Sequence, residues 1–195
     1  TWIDARSVTR DDIKILEQEY HVSQEHILDI LDQDEMSRIE PDDEYTLFIF
    51  RLPLFNPEND VTYLTIPLGI VLFSDKIITI CWTDCEVLKD VSSNRIKNIS
   101  IENFLTFILK IMSRTDSNFL RYLKEINRRT ITIQGELQMS VKNNELIQLF
   151  NLEKSLEYFT TSLKSNQLLI EKLSKMKGIY LDEDQKDFLE DIAID

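Results

Sequence analysis

Acidic side chains at helical spacing are the residues of this chain best suited to do chemistry. From residue 183 to residue 195 an acid recurs at every fourth position, with Asp191 inside the stripe, so these carboxylates share one face of a helix. Asp29 and Asp32 lie near one face of another predicted helix. Two such negative surfaces meet only when cations lie between them, and Mg²⁺ prefers oxygen ligands. The spacing therefore suggests a divalent-cation site, and the alternative is two solvated faces that never meet.

The histidines and cysteines offer weaker candidates. His26 and Asp29 are three residues apart and could both contact a metal, but no cysteine or second histidine stands at ligand spacing from them. A surface histidine beside an acid is the favoured alternative. Cys81 and Cys85 flank Trp82 at the end of a predicted buried strand. We therefore expect them to be small buried hydrophobic side chains, with no disulfide framework.

Motifs of the common enzyme classes are absent from the sequence. It has no glycine-rich phosphate loop, no G-x-S-x-G elbow and no histidine placed to serve as the base of a triad. We predict that the chain is not an enzyme. A hydrolase built on carboxylates and a metal is a remaining alternative, but no candidate substrate pocket can be read from the sequence.

The charge of the chain is concentrated at its two ends. The net charge is −13, and residues 1–60 hold 16 acidic and 5 basic side chains, while residues 182–195 hold 7 acidic and 1 basic. Nucleic-acid binding is disfavoured because it requires a concentrated basic surface. Divalent cations or a basic partner are favoured, and the alternative is a surface that only keeps the protein soluble.

The N-terminal half predicts a sheet covered on both faces. "TWIDAR" predicts a first strand, Thr9 and Asp12 resemble a capping box, and Ser23 is predicted to cap a second helix. Three apolar runs then predict strands at 45–55, 61–73 and 77–82, separated from the helices by a turn at 40–44. Because these runs are nearly continuous in apolar residues, we expect helices on both sides of the sheet.

The C-terminal half predicts long helices. One begins near Ile101, and a break at 141–145 separates it from a second whose apolar seam runs from residue 149 to residue 173, with Asn166 in one core position. We favour an antiparallel helical hairpin over a free coiled coil. Gly178 is a natural end for the second helix, and Asp182 with Gln185 predicts a capping box for the last one.

No segment of the chain predicts a membrane span. The best apolar stretch is short and contains a proline and a glycine, and the first residues include neither an initiator Met nor an apolar signal core. The last predicted helix has no stop signal. We therefore expect that the chain belongs to a longer protein.

The order of these features resembles the cytoplasmic domain of the CorA-type magnesium transport proteins. "WIDARSVTRDDIKILEQEYHVSQEHILDIL" resembles the opening of that family, and "RIEPDDEYTLFIFRLPLF" resembles its next segment. "NLEKSLEYFTTSLKSNQLLIEKL" resembles its penultimate long helix, and "FLEDIAID" the start of its stalk helix. Asp29 and Asp191 fall on acidic positions of the family, whereas Leu28 stands where a glutamate is usual. The Gly-Met-Asn loop and the two membrane helices are absent from the sequence.

The resemblance implies an α/β fold, an αβα sandwich with a mixed central sheet, followed by long helices and the start of a stalk helix. We expect residues 1–100 to form the sheet part, 101–180 the long-helix part and 181–195 the beginning of the stalk.

The resemblance also implies a function, that of a cytoplasmic cation-sensing and gating domain of a membrane transporter or channel. Asp29 of one subunit and Asp191 of its neighbour would hold a regulatory Mg²⁺, and Co²⁺ or Zn²⁺ is an alternative ion. The full-length protein would form a pentamer anchored in the cell membrane. The alternatives are a zinc- or cobalt-transporting relative and a soluble helical scaffold that binds a partner through the seam at 149–173.

Overall fold

The structure is a computed structural model that describes residues 1–139, 143–177 and 179–194. Its strands are β1 (Trp2–Arg6), β2 (Arg38–Pro41), β3 (Thr46–Phe55), β4 (Tyr63–Leu72) and β5 (Ile77–Cys81). Its helices are α1 (Arg10–Gln18), α2 (Gln24–Leu31), α3 (Glu86–Ser92), α4 (Phe104–Met139), α5 (Asn143–Lys175) and α6 (Glu183–Ile194).

The strands form one mixed five-stranded sheet in the order β1-β5-β4-β3-β2. The β1–β5 pair is parallel and the other three pairs are antiparallel. The long β3–β4 ladder runs from Thr46 opposite Leu72 to Phe55 opposite Tyr63. The predicted α/β class with a mixed central sheet is confirmed.

Helices cover both faces of the sheet, as the apolar strands predicted. Along β3, Leu47 and Ile49 belong to the core under α1 and α2, whereas Phe48, Phe50 and Leu52 belong to the core under the later helices. This alternation is the period of two that a strand imposes on its side chains. The result is an αβα sandwich in which α1 and α2 lie on the opposite face from α4 and α6.

Gly69 sets the distance between α2 and the sheet. A Cβ atom at this position of β4 would lie 2.3 Å from Cδ1 of Ile30. Only glycine therefore allows the buried face of α2 to approach the strand this closely. The same packing fixes the position of Asp29, one residue before Ile30 in the helix.

The two long helices form the predicted antiparallel hairpin. The rings of Phe119 in α4 and Phe159 in α5 meet edge to face with centroids 5.0 Å apart. Ile133 and Leu152 belong to the same core cluster nearer the turn. The predicted break at 141–145 lies partly outside the described residues, and α5 begins at Asn143.

Asn166 fixes the position of α5 on the sheet. Its side chain is 5% exposed. Its Oδ1 accepts from the backbone N–H of Arg51 (2.8 Å), and its Nδ2 donates to the carbonyl oxygen of Arg51 (2.9 Å). The pairing of β2 with β3 ends at Ile49, so the backbone of Arg51, two residues later in β3, has no partner in β2. The side-chain amide of Asn166 supplies that partner.

Three local features differ from the sequence prediction. Residues 40–44 were predicted as a turn, but residues 40 and 41 are the end of β2. Because β2 is an edge strand, it tolerates Pro41, which cannot donate a hydrogen bond to the ladder. The helix α3 has seven residues and is too short to show periodicity in the sequence. Ser23 precedes α2 without a side-chain capping bond. Gly178 lies outside the described residues.

Both predicted capping boxes are present. The Thr9 side chain accepts from the backbone of Asp12, and the Asp12 carboxylate accepts from the backbone of Thr9. Asp182 accepts from the backbone of Gln185 (2.8 Å) and donates its own N–H to the Gln185 side chain (3.0 Å). No helix within the described part of the chain is long and apolar enough to cross a membrane.

Candidate functional site

Asp29 lies on the partly exposed side of α2. Ile27 and Ile30 are fully buried against the sheet, while the Asp29 side chain is 35% exposed. The helix therefore presents this carboxylate at the boundary between the protein and solvent. Asp32 follows the helix and is exposed, and its Oδ1 accepts from the backbone N–H of Asp34 (3.0 Å).

Arg38 is the direct partner of Asp29. Its Nη2 donates to Asp29 Oδ2 (2.6 Å), its Nε donates to Glu40 Oε2 (3.1 Å), and its Nη1 donates to Glu35. Burial lowers the pKa of Arg38, but the hydrogen bonds to Glu40 and Asp29 outweigh this effect and leave the pKa raised. The hydrogen bond from Arg38 lowers the pKa of Glu40. Three carboxylates thus surround one guanidinium group.

His26 joins this group of charges from its buried side. Its Nε2 lies 3.5 Å from Glu40 Oε1, and its Nδ1 lies 2.7 Å from the hydroxyl of Tyr45. That hydroxyl accepts the backbone N–H of Ser23 (3.1 Å). His26 is buried, so the prediction that it is a surface histidine is wrong. His26 and Asp29 also have different partners, and the pair forms no common metal site.

Arg51 positions the segment that carries Glu35. Its Nη1 donates to the carbonyl oxygens of Gln33 (2.6 Å) and Glu35 (2.7 Å). Its Nη2 donates to both oxygens of Thr65, and its Nε to Ser162 (3.3 Å). Burial lowers the pKa of Arg51. Sequence reasoning overlooked this residue, although a single arginine inside the apolar run "FIFRLPLF" was a usable signal.

Asp191 lies on the exposed face of α6. Leu189 and Ile192 bury the other face of this helix, and Gln185 donates to Asn103 and Thr106, both at 3.0 Å. The acids of the stripe that the structure describes are all exposed, and none forms an ion pair with another described residue: Glu183, Asp187 and Asp191. This face therefore carries an uncompensated negative charge.

One chain does not bring Asp29 and Asp191 together. Asp29 belongs to the layer of α1 and α2, and Asp191 to the layer of α4 and α6, with the sheet between them. Among the described residues there is no group of three histidine, cysteine or acidic side chains that could hold a metal ion. An ion bound by both aspartates would have to lie between two copies of the chain.

The two cysteines are buried, as expected. Cys81 and Cys85 are free thiols, and Cys81 Sγ lies 3.7 Å from the carbonyl oxygen of Pro67, to which it donates. A hydrogen bond between the two thiols lowers the pKa of Cys81 and raises that of Cys85. The pair packs at the end of β5 as part of the main core.

Comparison with known protein families identifies the family of this chain. The sequence profile of the family described as CorA-like Mg²⁺ transporter protein matches residues 1–195. The chain belongs to this family. Its description is that of transporters and not of enzymes. A curated relative, the cobalt/magnesium transport protein CorA of Methanocaldococcus jannaschii, is 26% identical over 199 residues. This CorA-like chain spans 61% of the length of that relative.

Several solved structures share the fold of this chain. The soluble domain of CorA from M. jannaschii superimposes on 99% of this CorA-like chain with a TM-score of 0.85, at 20% identity and over 77% of its own length. The complete CorA magnesium transporter of the same organism gives 0.85 at 21% identity, and the match covers 99% of this chain and 61% of the transporter. The ZntB cytoplasmic domain of Vibrio parahaemolyticus gives 0.72 at 13% identity, over 99% and 77% of the two chains.

Proposed function

We propose that this chain is the cation-sensing and gating domain of a divalent-cation transporter or channel, with Mg²⁺ as the sensed ion. Membership of the CorA-like Mg²⁺ transporter family over the whole chain is the observation that carries this proposal. The relative named as a cobalt/magnesium transport protein supports the choice of ion and makes Co²⁺ the next candidate.

The proposed regulatory site lies between subunits. Asp29 of one copy and Asp191 of a neighbour each supply a carboxylate, and water completes the shell, since Mg²⁺ commonly uses only one or two carboxylates. The unpaired acidic face of α6 supports this arrangement, because two negative surfaces repel until a divalent ion lies between them. Leu28 is exposed beside Asp29 at the position where a glutamate is usual in the family, so the proposed site lacks that further carboxylate.

Occupancy of such a site would favour the closed state. A bound ion stabilises the state that holds it by RT ln(1 + [L]/Kd), which is about 1.4 kcal/mol per site when the free ion is about nine times Kd. In a symmetric pentamer the five sites contribute together, so their sum is about 7 kcal/mol at that concentration. A shift of about 5.5 kcal/mol is enough to reverse a two-state equilibrium. Loss of Mg²⁺ would therefore release the gate.

Membership of the family also supports the rest of the proposed assembly. We infer that α6 continues as a stalk toward membrane helices, that five copies form the channel, and that this domain faces the cytoplasm. The proposed division of the domain is 1–100 for the sheet part, 101–180 for the long helices and 181–195 for the stalk. Conduction and selectivity would belong to the membrane part.

The first test measures thermal unfolding with and without about 10 mM MgCl₂, where an ion with a Kd of about 2 mM stabilises the folded state by about 1 kcal/mol. We expect an increase in Tm of about 2–4 °C for the unmodified chain. Asp191→Asn should lose most of this increase, because one of the two ligands is gone. Sedimentation velocity on the same samples reports whether Mg²⁺ joins copies of the chain.

Asp187→Asn is the matched control for this test. It removes an exposed carboxylate one turn earlier on the same face and changes the net charge equally. Equal Tm increases in the unmodified chain and both variants would mean that Mg²⁺ acts only by screening, and the proposed site would be wrong.

A zinc- or cobalt-transporting relative is the second candidate. The observation that favours it is the shared fold of the ZntB cytoplasmic domain. The same unfolding assay with Co²⁺ and Zn²⁺ at matched ionic strength separates the candidates. A larger Asp191-dependent increase with Zn²⁺ than with Mg²⁺ would favour the zinc relative. The helical scaffold suggested by the seam has less support, since the seam packs within the chain.

A further inference from the structure

We propose that Arg38 is a built-in competitor of the divalent ion at Asp29 and thereby sets the ion concentration to which the domain responds. This inference rests on the proposed function, because it concerns the regulation of the same site. It assigns Arg38 a positioning and affinity-setting role and does not make it a ligand.

The geometry places a positive charge where an ion would bind. The Arg38 guanidinium uses its three nitrogens on three carboxylates: Asp29 from α2, Glu35 from the segment after it and Glu40 from β2. The Arg38 side chain is 28% exposed, so this group is accessible to ions from solvent. The three carboxylates and one guanidinium together keep a net negative charge, which attracts a divalent cation.

The surrounding structure holds the carboxylates in place independently of Arg38. Arg51 binds the carbonyl oxygens of Gln33 and Glu35 and so fixes the segment after α2. Pairing of β2 with β3 fixes Glu40 opposite Leu47. Removal of the guanidinium would therefore leave three carboxylates close together with less compensation, and not a collapsed site.

A divalent ion and Arg38 compete for the same carboxylate, because both are attracted by its single negative charge. The bond from Arg38 Nη2 to Asp29 Oδ2 measures 2.6 Å, a short charge-assisted hydrogen bond. An ion that binds Asp29 is repelled by the guanidinium and weakens its bond to Asp29, while Arg38 keeps Glu35 and Glu40 as partners. Ion binding thus costs part of an existing interaction, which lowers affinity. A sensor requires this, because an ion held too tightly never leaves when its concentration falls.

The experiment is Arg38→Gln, with Mg²⁺ titrated at constant ionic strength and the midpoint of the Tm increase as the readout. Glutamine keeps a hydrogen-bonding side chain and removes the charge. We expect the midpoint to fall about tenfold, which corresponds to about 1.4 kcal/mol in Mg²⁺ affinity. In the absence of Mg²⁺ the variant should melt lower than the unmodified chain. A purely structural role of Arg38 would lower Tm but leave the midpoint unchanged.

Arg6→Gln is the matched control. Arg6 is exposed to a similar degree, at 25%, and pairs with the two carboxylates of Asp4 (2.9 Å) and Asp84 (3.0 Å) at the end of β1. The substitution removes one positive charge from the same sheet, as Arg38→Gln does, but Arg6 does not contact Asp29. We expect its Mg²⁺ midpoint to stay within about twofold of the unmodified chain, since a distant exposed charge is largely screened.

The double variant Arg38→Gln/Asp29→Asn tests whether the higher Mg²⁺ affinity expected for Arg38→Gln depends on Asp29. We expect the double variant to lose that higher affinity. If Asp29→Asn alone abolishes the Mg²⁺ effect but Arg38→Gln leaves the midpoint unchanged, this inference is overturned and the proposed function stands. If no variant shows an Asp29-dependent effect, both are overturned. Should Arg38→Gln fail to fold, Arg38→Lys replaces it, because one ammonium cannot contact three carboxylates as the planar guanidinium does. A midpoint lowered two- to threefold then supports the inference, and an unchanged one rejects it.

Discussion

The buried guanidinium of Arg51 shows how one residue can organise a surface site from below. It is 7% exposed, and all five of its N–H groups have acceptors, which are carbonyl and hydroxyl oxygens and not carboxylates. The nearby acids Asp32, Asp34 and Glu35 act only at longer range and oppose the effect of burial on its pKa. The residue therefore joins β3, β4, α5 and the segment beside Asp29 in one network.

Arg51→Met tests this role at the scale of the residue. The substitution retains most of the apolar stem but leaves the buried carbonyl oxygen of Thr65, and the half-buried ones of Gln33 and Glu35, without this donor. Each buried acceptor left unpaired costs roughly 1–3 kcal/mol, so we expect a loss of about 3 kcal/mol in the free energy of unfolding. Urea denaturation measures it. Arg95→Met is the control, because that side chain is 71% exposed and should change stability by less than about 0.5 kcal/mol.

At the scale of elements, the position of α2 depends on a contact that only glycine permits. The buried face of the helix approaches β4 so closely that Ile30 occupies the space of a Cβ at Gly69. Asp29 therefore owes its position to a residue 40 positions later in the sequence. Glu86 acts similarly between α3 and α4, where it accepts from Arg121 and from the hydroxyl of Tyr122 (3.0 Å).

Gly69→Ala should displace α2 and disturb the ion site together. The added methyl would lie 2.3 Å from Ile30 Cδ1, so we expect a loss of about 1–3 kcal/mol in stability, as for other overpacked cores. Urea denaturation gives the loss, and Ile30→Ala in the same chain should recover part of it.

Gly135→Ala is the same substitution at a position where we expect it to raise stability. A Cβ there meets nothing within 4 Å, and the residue lies inside α4. Alanine should stabilise this helix by about 0.5–1 kcal/mol. Equal effects of the two substitutions on stability would contradict the role assigned to Gly69.

At the scale of the whole molecule, the sheet keeps the two acidic regions apart. The layer of α1 and α2 carries Asp29, the layer of α4 and α6 carries Asp191, and the core between them combines residues from the strands and from every later helix. The net charge of −13 adds repulsion between copies. Assembly of such a chain requires compensation, which the proposed Mg²⁺ sites would provide.

The charge network also predicts acid sensitivity. The hydrogen bonds from Arg121 and Arg38 lower the pKa values of Glu86 and Glu40, respectively, and the bond to Thr9 lowers that of Asp12. A carboxyl group with a lowered pKa in the folded state contributes stability above its unfolded pKa and loses it as pH falls through its folded pKa. Stability should therefore be constant near neutral pH and fall below about pH 4.5, the ordinary glutamate range.

Glu86→Gln checks the sign of this dependence. The variant should lose stability at pH 7 and show a smaller decrease between pH 5 and pH 3 than the unmodified chain. Urea denaturation across this pH range measures both. Burial raises the pKa of Asp4 and so opposes the trend, but this is one group against several. A variant with the full acid dependence of the unmodified chain would exclude Glu86 as a contributor.

The sequence by itself determined the class of fold, the long hairpin, both capping boxes and the family. These features depend on local spacing: period two in the strands, period 3.6 in the helices, and side chains three residues apart at helix starts. Burial of Cys81 and Cys85 was also predictable, since they end an apolar strand.

Only the tertiary structure decided which residues surround Asp29. Arg38, Arg51 and Gly69 act on its site across 9, 22 and 40 positions of sequence, and no local period relates them. Asn166, which the sequence placed in a core position of the helical seam, instead binds the free edge of β3. Contacts of this kind arise when elements pack, because an unpaired strand edge, a close helix or a buried guanidinium finds its partners only in three dimensions.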